Sequence, residues 1–292
     1  MFESRQERHI IEERVNPLFY FLNSMIKPQI LLTNDDGIRS PGLWTAARFL
    51  SDLGFVTVAA PRDQSSGMGR SLPNTSDGII REETVTVNGQ EWSAYAVSGS
   101  PAQAVLHGVL EIMPQKPDLV VSGINYGENV GTGVTISGTV GAAMEAAALG
   151  YRAIAVSLEA DARYHLSYSK EIDFSAAAHF AVFFAQKLLA KNIFNDEVNL
   201  LKIDVPSDAT PETPWQITRL SRQRYYESVA PVRASWDLPG KVLYKEAASL
   251  DDEKENTDVY VLRRKRQVSV TPLSLDLTAR IDLQGFEKEL RE

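Results

Sequence analysis

Short apolar runs alternate with longer segments whose apolar residues recur three and four apart. From Pro28 onward, Gln29-Ile-Leu-Leu-Thr33 has strand length, and Ser40-Pro41 to about Leu53 reads as a helix stopped by Gly54. Ser40 takes the N-cap position of that helix and Pro41 its first turn. Phe55–Ala60 is the next strand. Thr84–Val87 and Trp92–Val97 flank Asn88-Gly89, a dipeptide that suits a type I′ hairpin turn. Pro101 to about Ile112 reads as helix, Asp118–Ser122 as a third core strand, and Thr139–Leu149 as a small-residue helix ended by Gly150. Ala153–Ser157 is a strand, Asp173–Lys191 a long helix with an apolar face, and Asn199–Ile203 another strand. This alternation predicts a parallel sheet covered on both faces. Residues 28–205 are therefore expected to form a doubly wound, Rossmann-like α/β core. Ligands of such sheets bind beyond the carboxyl ends of the strands. Chemistry is expected just after Thr33, Ala60 and Ser122.

The pattern weakens on either side of that core. Residues 1–16 are rich in Glu and Arg, and Pro17–Ile26 is an apolar run. The run is shorter than the roughly 20 residues a bilayer span needs, and it lacks the features of a secretory signal. Residues 1–27 read as an extension: an additional helix packed on the fold, or the product of an upstream start codon. After Pro206 the chain is rich in Pro, Ser, Arg and acids up to residue 257. Asp258–Leu262 and Gln267–Thr271 then read as strands and Phe286–Glu292 as a terminal helix. Residues 206–292 are expected to be an arm of strands, loops and a helix. Such an arm buries little by itself and packs on the core or on a neighbouring subunit.

Composition removes whole classes of function. With no cysteine in 292 residues, a disulfide scaffold, a cysteine zinc finger and a cysteine nucleophile are excluded. A net charge of −8 argues against a nucleic-acid polymer as partner. A hydrophobic fraction of 43% is enough to build a core. The expected location is the cytoplasm, with no membrane partner.

Three loops fall where the sheet rule puts chemistry. Asn34-Asp35-Asp36-Gly37 follows the first strand, and two adjacent carboxylates at a sheet edge call for a cation. The same residues are also favoured in turns. Pro61-Arg-Asp-Gln-Ser-Ser-Gly67 follows the second strand and offers the hydroxyls of Ser65 and Ser66. Ser122-Gly-Ile-Asn-Tyr-Gly-Glu-Asn-Val-Gly-Thr-Gly133 follows the third and runs on to Ser137-Gly-Thr139, at a helix start suited to phosphate. Neither a Walker A sequence nor a dinucleotide fingerprint in the first strand–helix turn is present. The donors are oxygens, which suits a hard divalent ion. Of the four histidines, His107 and His179 are read as structural and His9 and His165 as surface residues, which disfavours a histidine phosphatase. Arg263-Arg-Lys-Arg266 is read as a solvated basic turn, with an anionic substrate or acidic neighbour as the alternative.

Taken together, these loops resemble the SurE (survival protein) family of metal-dependent nucleotidases. The similarity rests on Ile30–Ile38, Ser40-Pro-Gly42, Ser66-Gly67, Val120–Asn125, Gly127, Asn129, Gly131, Ser137–Val140 and Ala142–Glu145, and later on Ala153–Ser157 and Ser269–Leu273. The resemblance implies that Asp35, Asp36, Ser66 and Asn125 hold one divalent ion per subunit, Mg²⁺ or Mn²⁺, with Ca²⁺ as an alternative. It implies that Asn34, Asn129, Ser137, Gly138 and Thr139 face the phosphate. Asp35 or Asp36 would accept a proton from water. The implied substrates are nucleoside 5′-monophosphates and also 3′-monophosphates, and the implied assembly is a homodimer or homotetramer built through the C-terminal arm. The alternatives are a phosphatase acting on a non-nucleotide ester or polyphosphate, and a non-catalytic nucleotide-binding protein. The chain departs from the family pattern at Ile136, at Gly131-Thr-Gly133 and at Gly99–Ala104, which bears on substrate preference and subunit contacts.

Overall fold

A computed structural model describes residues 27–165, 167–169, 171–191, 193–247 and 253–292. The readings of residues 1–26, including the packed N-terminal helix, lie outside the described residues.

The core is a nine-stranded sheet. Its strands in chain order are β1 (Gln29–Thr33), β2 (Phe55–Pro61), β3 (Ile80–Val87), β4 (Gln90–Val97), β5 (Leu119–Tyr126), β6 (Ala153–Leu158), β7 (Leu200–Val205), β8 (Trp215–Ile217) and β11 (Val268–Leu273). Two further strands, β9 (Tyr226–Val229) and β10 (Leu243–Glu246), pair antiparallel as a separate ribbon. Across the main sheet the order is β3-β4-β2-β1-β5-β6-β7-β11-β8. From β4 to β7 every neighbour is parallel. The chain winds outward from β1 through β2 to β4, then returns to β5 on the other side of β1. The reversal between β1 and β5 leaves a crevice at their carboxyl ends.

Helices cover both faces because the central strands are apolar on both. One face packs under α1 (Pro41–Leu50) and α4 (Ser175–Ala190), around Leu32, Val58, Val121, Phe180 and Phe184. The other packs under α2 (Pro101–His107) and α3 (Gly138–Ala148), around Leu31, Val105, Val120 and Val140. Among the described residues no helix is long and apolar enough to cross a membrane.

Several expectations change in detail. Ser40 sits at the N-cap of α1, but its hydroxyl caps nothing and is buried without a partner. The third core strand runs to Tyr126, with a register irregularity between Ser122 and Asn125, so Asn125 belongs to the strand end. The turn at Asn88-Gly89 has φ of 51° and 81°, as a type I′ corner requires. Asp258–Leu262 is not a strand but the helix α5 (Asp258–Arg263). Thr257 caps it by accepting from the Tyr260 amide, and Asp258 in its first turn is fully buried. Alternating apolar residues in so short a run fit either element, and the cap decides. Arg263 and Arg266 are not a solvated turn: both guanidiniums pair with Glu159, at 2.6 Å each. Burial pushes the Glu159 carboxyl up, but Arg266 and the Ser207 amide outweigh it and hold it at about 2. The strand expected at 267–271 is β11, inserted between β7 and β8, and the last helix is α6 (Leu283–Arg291).

Candidate active site

Asp35 and Asp36 follow β1 into the crevice. Both are buried, at 4% and 1% exposure, where a carboxylate is rarely found unpaired. Thr139 gives its hydroxyl to Asp35, and the Gly138 and Thr139 amides at the start of α3 stabilise the ionised form. Gly138 is required by this approach, since a Cβ there would lie 2.7 Å from the Asp35 Cβ. Asp36 accepts from the Tyr126 amide at 3.2 Å and from Gln64 Nε2 at 3.3 Å. These bonds do not offset the desolvation. Burial raises the Asp35 carboxyl to about 6, and burial together with the neighbouring Asp35 charge raises Asp36 well above the usual range. Among the described residues no Lys, Arg or His side chain contributes to either carboxylate. Two like charges are held together with nothing positive beside them.

Asp35 lines a cavity of about 250 Å³ together with Ser66, Asn125, Asn129 and Ser137. The second loop is fixed to the first where the Ser65 amide donates to the Asp35 carbonyl at 2.7 Å. Asn125 donates its amide to the carbonyls of Tyr126 and Gly127, at 3.2 and 2.7 Å, which leaves its carbonyl oxygen available. Ser137 caps α3 by accepting from the Val140 amide, so its hydroxyl proton is free to donate. The remaining expected residues stand differently. Asn34 is buried and spends both ends of its carboxamide on Gly37, at 3.0 and 3.2 Å, which makes it a turn former. Gly138 and Thr139 lean on Asp35, and Asp36 is not among the residues that line the cavity.

The donors suit a divalent cation. One of the two desolvated carboxylates, Asp35, shares the cavity with the hydroxyl-bearing Ser66 and the carboxamide of Asn125, and oxygen donors of this kind bind hard ions.

Behind the cavity lies a buried ion network that sequence reasoning missed. Lys202 on β7 reaches Asp204 and, at 3.0 Å, Asp258, and all three are fully buried. Asp204 accepts from the Asn129 amide at 2.8 Å, and Asp258 accepts from the Gly131 amide at 2.9 Å. The network fixes the backbone on which Asn129 stands. Its sequence signal is a lysine and an aspartate inside an otherwise apolar strand, Leu200-Leu-Lys-Ile-Asp-Val205.

Glu128, His165, Tyr226 and Tyr244 also line the cavity, and the sequence reading gave none of them a role there. His165 is not a surface residue but 8% exposed, and burial lowers its pKa and keeps the ring neutral. Glu128 is 3% exposed, and burial lifts it to about 7 against the Tyr225 and Tyr226 hydroxyls, which favour its ionised form. A larger cleft of about 910 Å³ lies between residues 197–223 and 253–280, and neither Asp35 nor Asp36 lines it.

The chain is similar to known proteins over most of its length. The family model described as survival protein SurE matches residues 30–227. A Thermococcus gammatolerans protein named 5′-nucleotidase SurE is 42% identical over 263 residues, covering 90% of this chain and 96% of that one. A Methanosarcina barkeri protein of the same name is 40% identical over 280 residues, covering 92% and 100%. The crystal structure of the SurE protein of Aquifex aeolicus superposes with a TM-score of 0.70 at 33% identity, covering 91% of this chain and all (100%) of that one.

Proposed function

The chain belongs to the survival protein SurE family, and on that premise we propose that it is a divalent-metal-dependent phosphomonoesterase acting on nucleoside 5′-monophosphates. The observation that carries the reading is the uncompensated pair Asp35–Asp36 at the sheet's switch point, sharing its crevice with Ser66 and Asn125.

Asp35, Asp36, Ser66 and Asn125 would hold the cation. When bound, it supplies Lewis acidity toward a phosphoryl oxygen and toward water. The chain's own groups do the rest. Ser137 donates its hydroxyl to an equatorial oxygen of the phosphate. Gly138 and Thr139 hold Asp35 in place. Both carboxylates accept hydrogen bonds, but Asp35 lines the cavity and Asp36 does not, so Asp35 is the better placed acceptor for the proton leaving water.

The assembly is read as a homo-oligomer. Leu283, Phe286 and Leu290 on α6 are 58%, 47% and 73% exposed, and Trp236 in the connection from β9 to β10 is 90% exposed. Apolar groups left open in this number favour burial against a second copy. Light scattering coupled to size exclusion distinguishes dimer from tetramer, and a monomer would refute this reading.

Phosphate release from a panel of nucleoside monophosphates, with EDTA and with added Mn²⁺ or Mg²⁺, tests the activity. Release that requires the metal supports the proposal. No release from folded protein with any metal overturns it.

A further inference from the structure

The cavity continues past the residues assigned to metal and phosphate. Its other wall comes from the ribbon of β9 and β10, which stands outside the main sheet. A two-stranded ribbon has little stability of its own, so its placement reflects ties to the body. Two such ties are visible. Arg263 pairs with Glu246 on β10 at 2.9 Å. The Tyr244 hydroxyl donates to His165 Nδ1 at 3.1 Å, while His165 Nε2 donates to the Ala160 carbonyl at 2.9 Å. His165 in turn presses on Gly127, where a Cβ would lie 2.4 Å from its Nε2.

The result is a preset aromatic cluster. His165 and Tyr244 lie nearly parallel, 23° apart with centroids at 6.1 Å, and Tyr226 meets Tyr244 at 71° and 5.3 Å. Tyr244 is the open member, at 44% exposure, and Leu243 beside it is 57% exposed. Ile136, 62% exposed in the loop before α3, adds an apolar surface to the same lining. A flat ring fixed in orientation, flanked by aliphatic groups and continuous with a phosphate site, suits a flat π-system covalently joined to a phosphate. Stacking of this kind tolerates any base, because every base has a π-face.

We propose that Tyr244, with Leu243 and Ile136, forms the nucleobase subsite of this cavity, and that His165 is a positioning residue that sets the Tyr244 ring. The assignment rests on the phosphomonoesterase reading above for the phosphate end and commits to a base as the occupant of the ribbon wall.

Calorimetric affinities measured in EDTA test it without turnover. The ligands are a nucleoside 5′-monophosphate and ribose 5-phosphate, and the proteins are wild type, Tyr244→Ala and Tyr244→Phe. Wild type is expected to bind the nucleotide about tenfold or more tightly than the sugar phosphate. Tyr244→Ala should lose that gap with ribose 5-phosphate binding unchanged, and Tyr244→Phe should keep most of it. No gap in wild type, a gap that survives Tyr244→Ala, or a loss that accompanies a changed oligomeric state would overturn the subsite. Failure of the nucleotidase reading is separate, since it shows as absent phosphate release while these affinities are still measured.

Discussion

Two clusters of buried charge lie near the carboxyl edge of the same sheet and differ in one respect. In the Lys202–Asp204–Asp258 cluster an ammonium sits between two carboxylates, and backbone amides of Asn129, Gly131 and Ser221 satisfy the remaining oxygens. In the Asp35–Asp36 cluster the partners are amides and neutral side chains, and no cation of the chain takes part among the described residues. The first cluster is complete and holds a loop. The second is incomplete, which leaves it ready for a cation from outside. A balanced buried ion network reads as scaffold, and an unbalanced one in a crevice reads as a site.

Substitutions can break this contrast. The largest expected effect is on turnover. Asp36→Asn should lower metal-dependent phosphate release by about a thousandfold or more, since several kcal/mol of transition-state stabilisation go with the ion. The same change should leave metal-free thermal stability equal or higher, because it removes a like charge. Added Mn²⁺ should raise the Tm of wild type and not of the variant. Retained activity in the folded variant would refute the ligand assignment.

Lys202→Met is next. Removing one partner from a buried pair should cost about 3–5 kcal/mol by chemical denaturation. A cost near zero would mean that the network is not scaffold, and the contrast would collapse.

Glu128 gives a smaller effect that depends on pH. Its folded carboxyl is raised to about 7 from 4.5, so the folded state binds the proton more tightly than the unfolded. That contribution is present below about pH 4.5 and is lost as pH rises through 7. Glu128→Gln should therefore match wild type at pH 4 and exceed it at pH 8 by on the order of 1–3 kcal/mol. A variant less stable at pH 8 would show that the carboxylate has a charged partner.

The smallest effect runs the other way. Glu159, held at about 2 against an ordinary 4.5, stabilises the fold above pH 4.5 and loses this as pH falls toward 2. Glu159→Gln should be less stable than wild type by roughly 1 kcal/mol at neutral pH, with the difference closing across that acid window. A constant difference down to pH 2 would assign the loss to packing instead.

The motif-bearing part of the site could be read before the structure because its residues are adjacent in sequence. Asn34–Gly37 and Ser122–Asn129 each carry several cavity or crevice residues within one turn or strand end. The ribbon wall could not be read this way. Tyr244 and His165 lie 79 positions apart, and the weak apolar pattern of β9 and β10 gives no sign that they meet. The burial of Asp258 at the start of the helix Asp258–Arg263 is equally non-local, since Lys202, 56 positions earlier, pairs with it.

The sequence by itself determined the alternation of strands and helices, and with it the parallel sheet and the edge where chemistry gathers. Periodicity and turn chemistry are local, so the chain carries them directly. Only the tertiary structure decided which charges are balanced. It seated Lys202 between Asp204 and Asp258 and left Asp35 beside Asp36, and it brought Tyr244 over His165 at the far wall. Burial and partner choice depend on what the fold brings together across long stretches of chain, and desolvation turns that arrangement into either scaffold or site.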